Sequence, residues 1–226
     1  MRSVFEKAGI ILTENQLKLF GEYYKLLIKY NSEFNLTAIT SEKEVYIKHF
    51  TDSLLGAEFI EKGSLADVGS GGGFPGIPLK ILKEDLDVTL IEATGKKCDF
   101  LNAVIKELNL DKIKVLCGRA EEIGLKKPFR ETFDYVTARA VAKLNTLSEY
   151  ALPLLKVGGK FICYKADVKE EASAAQNALS VLGGGIERIK EFDLYGNGRT
   201  VIVIKKEKNT PEIFPRRNAK IIKKPL

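Results

Sequence analysis

The stretch Leu65-Ala66-Asp67-Val68-Gly69-Ser70-Gly71-Gly72-Gly73-Phe74-Pro75-Gly76-Ile77-Pro78 decides how the chain folds. An apolar run breaks into glycine and then into residues able to start a helix, which is the order strand, tight turn, helix. Five glycines between positions 69 and 76 remove Cβ atoms where the backbone must take positive φ and where a ligand can lie against the main chain. A dinucleotide fingerprint needs glycine or alanine at its sixth place, and here that place is Phe74, too bulky to let a pyrophosphate approach. Asp67 stands two residues before the first glycine, and Glu92 ends the next apolar run, Val88-Thr89-Leu90-Ile91. Two acids so placed complete the pattern of a nucleoside-methionine site, an S-adenosylmethionine pocket. An ordinary glycine-rich turn would not carry the acid at the second strand end.

Downstream of that loop, strands and helices alternate with short connections, the mark of a parallel sheet covered on both faces. The patterns predict strands near 65–68, 88–91, 113–116, 133–137, 160–164, 185–192 and 200–205, with helices near 96–108 and 167–182. Gly196-Asn197-Gly198 predicts a hairpin turn, so the last two strands are expected to be antiparallel. The expected fold is α/β, Rossmann-like, with a seven-stranded mostly parallel sheet, helices on both faces and an N-terminal helical extension. In that extension Thr13-Glu14-Asn15-Gln16 has the form of a capping box, followed by Leu17, Phe20, Tyr24, Leu27 and Ile28 at helical spacing. A second helix is expected from about Ser41 to Phe50. Three segments result: a helical extension over 1–60, a core over 61–206 and a basic tail over 207–226.

A chain of 226 residues suits one α/β domain with an extension. No apolar run approaches the ~18 residues a membrane span requires, and the N-terminus has no secretory pattern. Cys98, Cys117 and Cys163 are too scattered for a zinc site or a disulfide framework, so no metal is expected and a reducing cytoplasm fits. Residues 205–226 hold eight basic side chains against two acids, which accounts for the whole net charge of +6. Such a segment attracts polyanions, and Pro211 and Pro215 argue against a regular helix within it.

In open parallel sheets ligands collect at the carboxyl ends of the strands. Candidates there are the glycine loop, Glu92 as acceptor for two ribose hydroxyls, Gly118-Arg119-Ala120-Glu121 for the adenine edge, Arg139 and Lys165. Arg139 at a sheet end needs an anionic partner, with Asp67 or Glu92 as the structural alternative to a substrate. His49, the single histidine, reads as a hydrogen-bonding group with Asp52 and Ser53 as neighbours.

Asn35-Leu36-Thr37, His49-Phe50-Thr51-Asp52-Ser53-Leu54, the loop from Asp67 to Pro78, Gly118-Arg119-Ala120-Glu121, Ala138-Arg139-Ala140 and Pro215-Arg216-Arg217 together resemble the RsmG (GidB) family, over nearly the whole chain. The resemblance implies methylation of ring N7 of one guanine in bacterial 16S ribosomal RNA, with S-adenosylmethionine as methyl donor and S-adenosylhomocysteine as product. It implies that Gly69, Phe74, Glu92, Ala93, Thr94, Ala120, Glu121 and Arg139 line the cofactor site. One departure is Asn218-Ala219-Lys220-Ile221, where the family pattern has glycine and proline. Guanine N7 carries a free lone pair, so transfer to it needs alignment rather than a general base. Arg139, Lys165 and Arg199 are the candidates to position the nucleotide. The chain lacks the Asn/Asp-Pro-Pro-aromatic segment of amine methyltransferases, and only Cys163 could serve carbon methylation. A small-molecule methyltransferase and a non-catalytic ribosome-binding protein with a relic pocket are the alternatives. The expected protein is a cytoplasmic monomer that meets 16S ribosomal RNA or the small subunit, with no membrane partner. Cutting after Lys208 is expected to weaken RNA binding and spare the cofactor.

Overall fold

Alternating apolar residues sort each strand's side chains onto two faces of one sheet. The computed structural model describes residues 1–166 and 168–226. Its strands are β1 Ser64–Val68, β2 Asp87–Glu92, β3 Ile113–Cys117, β4 Phe133–Arg139, β5 Leu155–Lys165, β6 Gly184–Leu194 and β7 Asn197–Lys206. They lie in the order β3-β2-β1-β4-β5-β7-β6. The first five pair in parallel, and β7 runs antiparallel to both β5 and β6. In β7, Val201 and Val203 join the core on one face while Ile202 and Ile204 join the core on the other. The first core holds side chains of helices Glu14–Phe34, Gly76–Leu82 and Gly95–Glu107; the second holds those of Leu144–Ala151, Gln176–Leu182 and Asn218–Lys223. Strand order reverses between β1 and β4, which makes the carboxyl ends of those strands the natural place for a ligand.

The N-terminal helix begins as its sequence predicts. Thr13 Oγ1 accepts from the Gln16 amide at 3.3 Å, and Gln16 Oε1 accepts from the Thr13 amide at 3.0 Å. Gln16 Nε2 then donates to the carbonyls of Ile81 and Leu82, tying this helix to the one after the glycine loop. The face differs from expectation: Phe20, Tyr23 and Leu27 are fully buried, whereas Leu17, Tyr24 and Ile28 are only partly so. The shift brings the Tyr23 hydroxyl onto the Gly72 carbonyl, a contact that decides the register of the face.

Other boundaries move for local reasons. The second helical segment does not end at Phe50; it runs over 42–54 as α-helix, a wide π turn at Tyr46–Thr51 and α-helix again, because no glycine or proline interrupts it. The hairpin turn sits one residue earlier than predicted, on Tyr195 and Gly196, both at positive φ, with the Gly196 amide donating to Asp193 Oδ1 at 2.7 Å. The helix expected over 167–182 divides into Lys169–Ala174 and Gln176–Leu182, and its expected first residue, Asp167, lies outside the described residues. The tail contains a helix, Asn218–Lys223, contrary to expectation, because Pro211 and Pro215 precede that segment and Pro225 follows it. Among the described residues no helix is long and apolar enough to cross a membrane.

Candidate active site

Two clefts open at the carboxyl ends of the strands, on either side of the loop that follows β4. The first, about 290 Å³, is lined by Gly69, Glu92, Ala93, Ala120 and Glu121 from the β1, β2 and β3 ends, with Asn218 and Ile222 from the C-terminal helix as a further wall. Its volume lies just below the range of ligand clefts, roughly 300–1,000 Å³. Glu92 is buried, and its carboxylate is fixed from two sides: Oε2 accepts from the Gly71 amide at 2.9 Å and Oε1 from the Thr94 amide at 2.8 Å. Each oxygen keeps a lone pair for a further donor. Gly71 has φ +57°, and a Cβ built there would meet nothing closer than the Gly69 carbonyl oxygen at 3.8 Å. Open space over a bare backbone beside a fixed carboxylate fits a nucleoside with vicinal hydroxyls. Gly69 serves differently: with φ +69°, its added Cβ would strike Val141 at 2.7 Å.

Asp67, fully buried, accepts from Thr137 Oγ1 at 2.9 Å and from the Gly76 amide at 3.2 Å, so it anchors the glycine loop to β4. Burial raises its pKa to about 6, against the lowering pull of those hydrogen bonds. Thr94 lies beside the cleft and contributes the amide that holds Glu92. Phe74 faces away from this cleft: its ring stacks on His49 at 4.6 Å between centroids, and the Arg139 guanidinium lies 5.1 Å from its centre.

The second cleft, about 400 Å³, is basic, lined by Lys48, Arg139, Lys165 and Arg199 around Asp52. Asp52, not Asp67 or Glu92, is the partner of Arg139: Oδ2 accepts from Arg139 Nη1 at 2.7 Å and Oδ1 from Arg199 Nε at 3.1 Å. Arg139 also reaches the carbonyls of Lys48 and His49, so it closes the π turn onto the end of β4. Lys165 is tied to Glu171 at 2.7 Å and to the Ala142 carbonyl at 2.6 Å. With side chains 12% exposed, Arg139 and Lys165 serve mainly protein partners, whereas Lys48 at 35% and Arg199 at 24% keep surface open to the cleft. Sequence reasoning placed Asp52 beside His49 but missed its bond to Arg139; the three-residue spacing of His49 and Asp52 on one helix was the available signal. Tyr23, Lys48, Asn218 and Ile222 carried none.

His49 Nε2 lies 2.8 Å from Thr37 Oγ1, and Nδ1 lies 3.3 Å from Arg139 Nη2. An arginine only donates, so Nδ1 accepts and the proton sits on Nε2, directed at Thr37. Burial first, and the Arg139 charge second, push the His49 pKa down to about 4. The neutral ring therefore contributes stability that is present above the ordinary value near 6.5 and is lost as pH falls through about 4. Between pH 7 and pH 4 the stability advantage of the wild type over His49→Gln is expected to shrink by about 2–3 kcal/mol. Urea unfolding of both proteins at each pH measures it, and a constant difference would contradict the assignment. Cys163 is fully buried and its thiol is pushed up to about 12 by that burial, so it is no thiolate nucleophile.

A doubly wound sheet, a glycine loop after β1 and a fixed carboxylate at the end of β2 define the class: a Rossmann-like methyltransferase. The chain superposes on the crystal structure of an Aquifex aeolicus SAM-dependent methyltransferase with a TM-score of 0.57 at 18% identity, covering 76% of this chain and 97% of that one. The crystal structure of M. jannaschii TYW2 in complex with AdoMet gives a TM-score of 0.55 at 15% identity over 69% of this chain and 76% of that one. The family model described as rRNA small subunit methyltransferase G matches residues 16–197. Proteins named ribosomal RNA small subunit methyltransferase G are similar along nearly their full length: 48% identical in Desulforamulus reducens, over 95% of this chain and 92% of the relative, and 46% in an Exiguobacterium strain, over 96% and 94%. The chain belongs to the rRNA small subunit methyltransferase G family.

Proposed function

We propose that this protein transfers a methyl group from S-adenosylmethionine to ring N7 of a guanine in bacterial 16S ribosomal RNA. The observation that carries the reading is the pairing of a nucleoside cleft with a basic cleft across one short loop, with no free base between them among the described residues. His49 has both ring nitrogens engaged and Asp52 is held by two arginines, so neither is available to take a proton. A ring nitrogen with its own lone pair needs none.

When bound, the cofactor supplies an electrophilic methyl group on a sulfonium. Glu92 receives the ribose hydroxyls, Gly69 and Gly71 give the backbone surface against which the ligand lies, and Ala93, Ala120 and Glu121 bound the base. Lys48 and Arg199 meet the nucleotide's phosphates. Arg139 and Lys165 are positioning residues that hold the walls of the second cleft, and Phe74 supports the ring of His49 under them. The core over 61–206 thus carries the cofactor, the segment over 1–60 shapes the substrate side and the segment over 207–226 walls the cofactor side. We place the protein in the cytoplasm as a monomer.

Replacing Glu92 by alanine removes the acceptor of two amides and of the ribose hydroxyls. Cofactor affinity is expected to fall by about 1.5–3 kcal/mol, roughly ten- to a hundred-fold. Calorimetric titration with S-adenosylmethionine measures this, and an unchanged constant would remove Glu92 from the site. The function itself is tested by mapping N7-methylguanine, through reduction and aniline cleavage, in 16S ribosomal RNA from cells lacking the gene. Loss of one modified position, restored by the wild-type gene, is the expected result; an unchanged map would sink the reading.

A further inference from the structure

The C-terminal helix Asn218–Lys223 has two faces with opposite surroundings. On the inner face Ile221 is fully buried, Asn218 Oδ1 accepts from Tyr150 Oη at 2.6 Å, and Asn218 and Ile222 form a wall of the cofactor cleft. On the outer side Arg217, Lys220, Lys223 and Lys224 are exposed, and among the described residues none of them is ion-paired. Exposed Arg119, which lines the same cleft from the β3 end, adds another cation at the rim. Just upstream, Arg216 is locked to buried Glu149, with its amide and Nε 2.8 Å from Oε1 and Nη2 2.6 Å from Oε2. The chain is therefore pinned at 216 and continues into a six-residue helix that rests on one buried side chain. So short a helix is marginal by itself, and the body holds it through Ile221, the Asn218–Tyr150 bond and Asn145 Nδ2 on the Leu226 carbonyl at 3.4 Å.

Four unpaired cations within eight residues match the charge spacing of a phosphate backbone and offer nothing to a small neutral substrate. We propose that this helix couples the two ligands: RNA phosphates bind Arg217, Lys220, Lys223 and Lys224 and thereby seat Asn218 and Ile222 over the cofactor cleft. RNA and S-adenosylmethionine then each tighten the binding of the other. The proposal rests on the reading above that the substrate is ribosomal RNA. Held in one docked helix, the cations present a fixed array to the polyanion; released, they spread and lose that advantage, so RNA favours the seated state and the cofactor favours the same state. Reciprocity requires both affinities to change by one factor.

The test titrates S-adenosylhomocysteine into the full-length protein by calorimetry, alone and with a saturating 16S ribosomal RNA transcript. Affinity is expected to rise about ten-fold with RNA, and RNA affinity by the same factor with S-adenosylhomocysteine. In the triple variant Lys220→Gln, Lys223→Gln, Lys224→Gln, RNA-free affinity for S-adenosylhomocysteine is expected to be unchanged and the gain to fall to about two-fold or less. Normal RNA binding with no gain in the wild type overturns the coupling and leaves the proposed function standing, as does a full gain in the triple variant. Failure to bind the transcript at any salt concentration overturns both.

Discussion

Replacing Arg139 by alanine is expected to lower thermal stability and nearly abolish methyl transfer together. Asp52 is buried and shares its charge between Arg139 and Arg199; without Arg139 it keeps only the longer of the two bonds. Removing one partner of a buried pair costs about 3–5 kcal/mol, and retention of Arg199 places this case near about 3. For a chain of this size that is roughly 6–12 °C in Tm. The catalytic loss has a separate origin. Arg139 is what bonds the carbonyls of Lys48 and His49 and the ring of His49 to the end of β4, so its removal frees the wall that carries Lys48. A misplaced wall lowers kcat/KM by about a hundred-fold or more. Calorimetry and single-turnover methylation of 16S ribosomal RNA at 25 °C, below the new Tm, separate the two effects. Arg139→Lys keeps the charge without the planar fork and is expected to recover stability better than rate. A Tm within a degree of wild type would refute the buried-pair argument.

Cutting the chain after Lys208 is expected to remove cofactor binding, against the sequence expectation that the tail is dispensable for it. The excised residues are built into the body. Phe214 and Ile221 are buried, each contributing about 1.5–3 kcal/mol, and Glu149, fully buried, loses all three bonds from Arg216. Leaving that carboxylate unpaired adds about 3–5 kcal/mol. Arg130 also loses the carbonyls of Thr210 and Phe214 as acceptors. Together these approach the whole net stability of a domain, about 5–15 kcal/mol. Circular dichroism melting and cofactor titration of the truncated chain are expected to give a broadened transition and no binding. Cutting after Arg217 instead spares Phe214 and the Arg216–Glu149 pair but removes Asn218 and Ile222 from the cleft. That shorter cut is expected to leave a cooperative fold and cofactor affinity about ten-fold weaker. If the cut after Lys208 leaves a sharp transition and normal titration, the tail is not part of the cleft.

Much of the site was legible because local rules act on adjacent residues. The glycine loop needs positive φ at particular places, Glu92 must end a strand, and Gly118-Arg119-Ala120-Glu121 must follow the next; these requirements are written into short contiguous segments. Asn218 and Ile222 could not be read the same way. Their part in the cleft depends on a chain that crosses the molecule and is pinned by a bond between Arg216 and Glu149, 67 residues apart. Arg139 presented an intermediate case: its need for an anion was evident, but the sequence pointed to Asp67 or Glu92, and neither is its partner. Asp67 is bonded to Thr137 and Gly76 under the glycine loop and Glu92 faces the first cleft, whereas Arg139 lines the second and meets Asp52 there.

The sequence by itself determined the α/β alternation, the seven strands, the antiparallel end of the sheet and the acid at the end of β2. Periodicity, turn chemistry and strand propensity are properties of a few neighbouring residues, and they survive without the rest of the molecule. Only the tertiary structure decided which face of the helix over 14–34 is buried, that Tyr23 holds the Gly72 carbonyl, that Phe74 packs against both His49 and Arg139, and that the basic tail walls the cleft at the ends of β1, β2 and β3. Each of these is a choice among partners equally plausible in composition. It is settled by which buried charge or hydroxyl still lacks a partner once the sheet has closed, since leaving one unmatched costs more than any local preference can return.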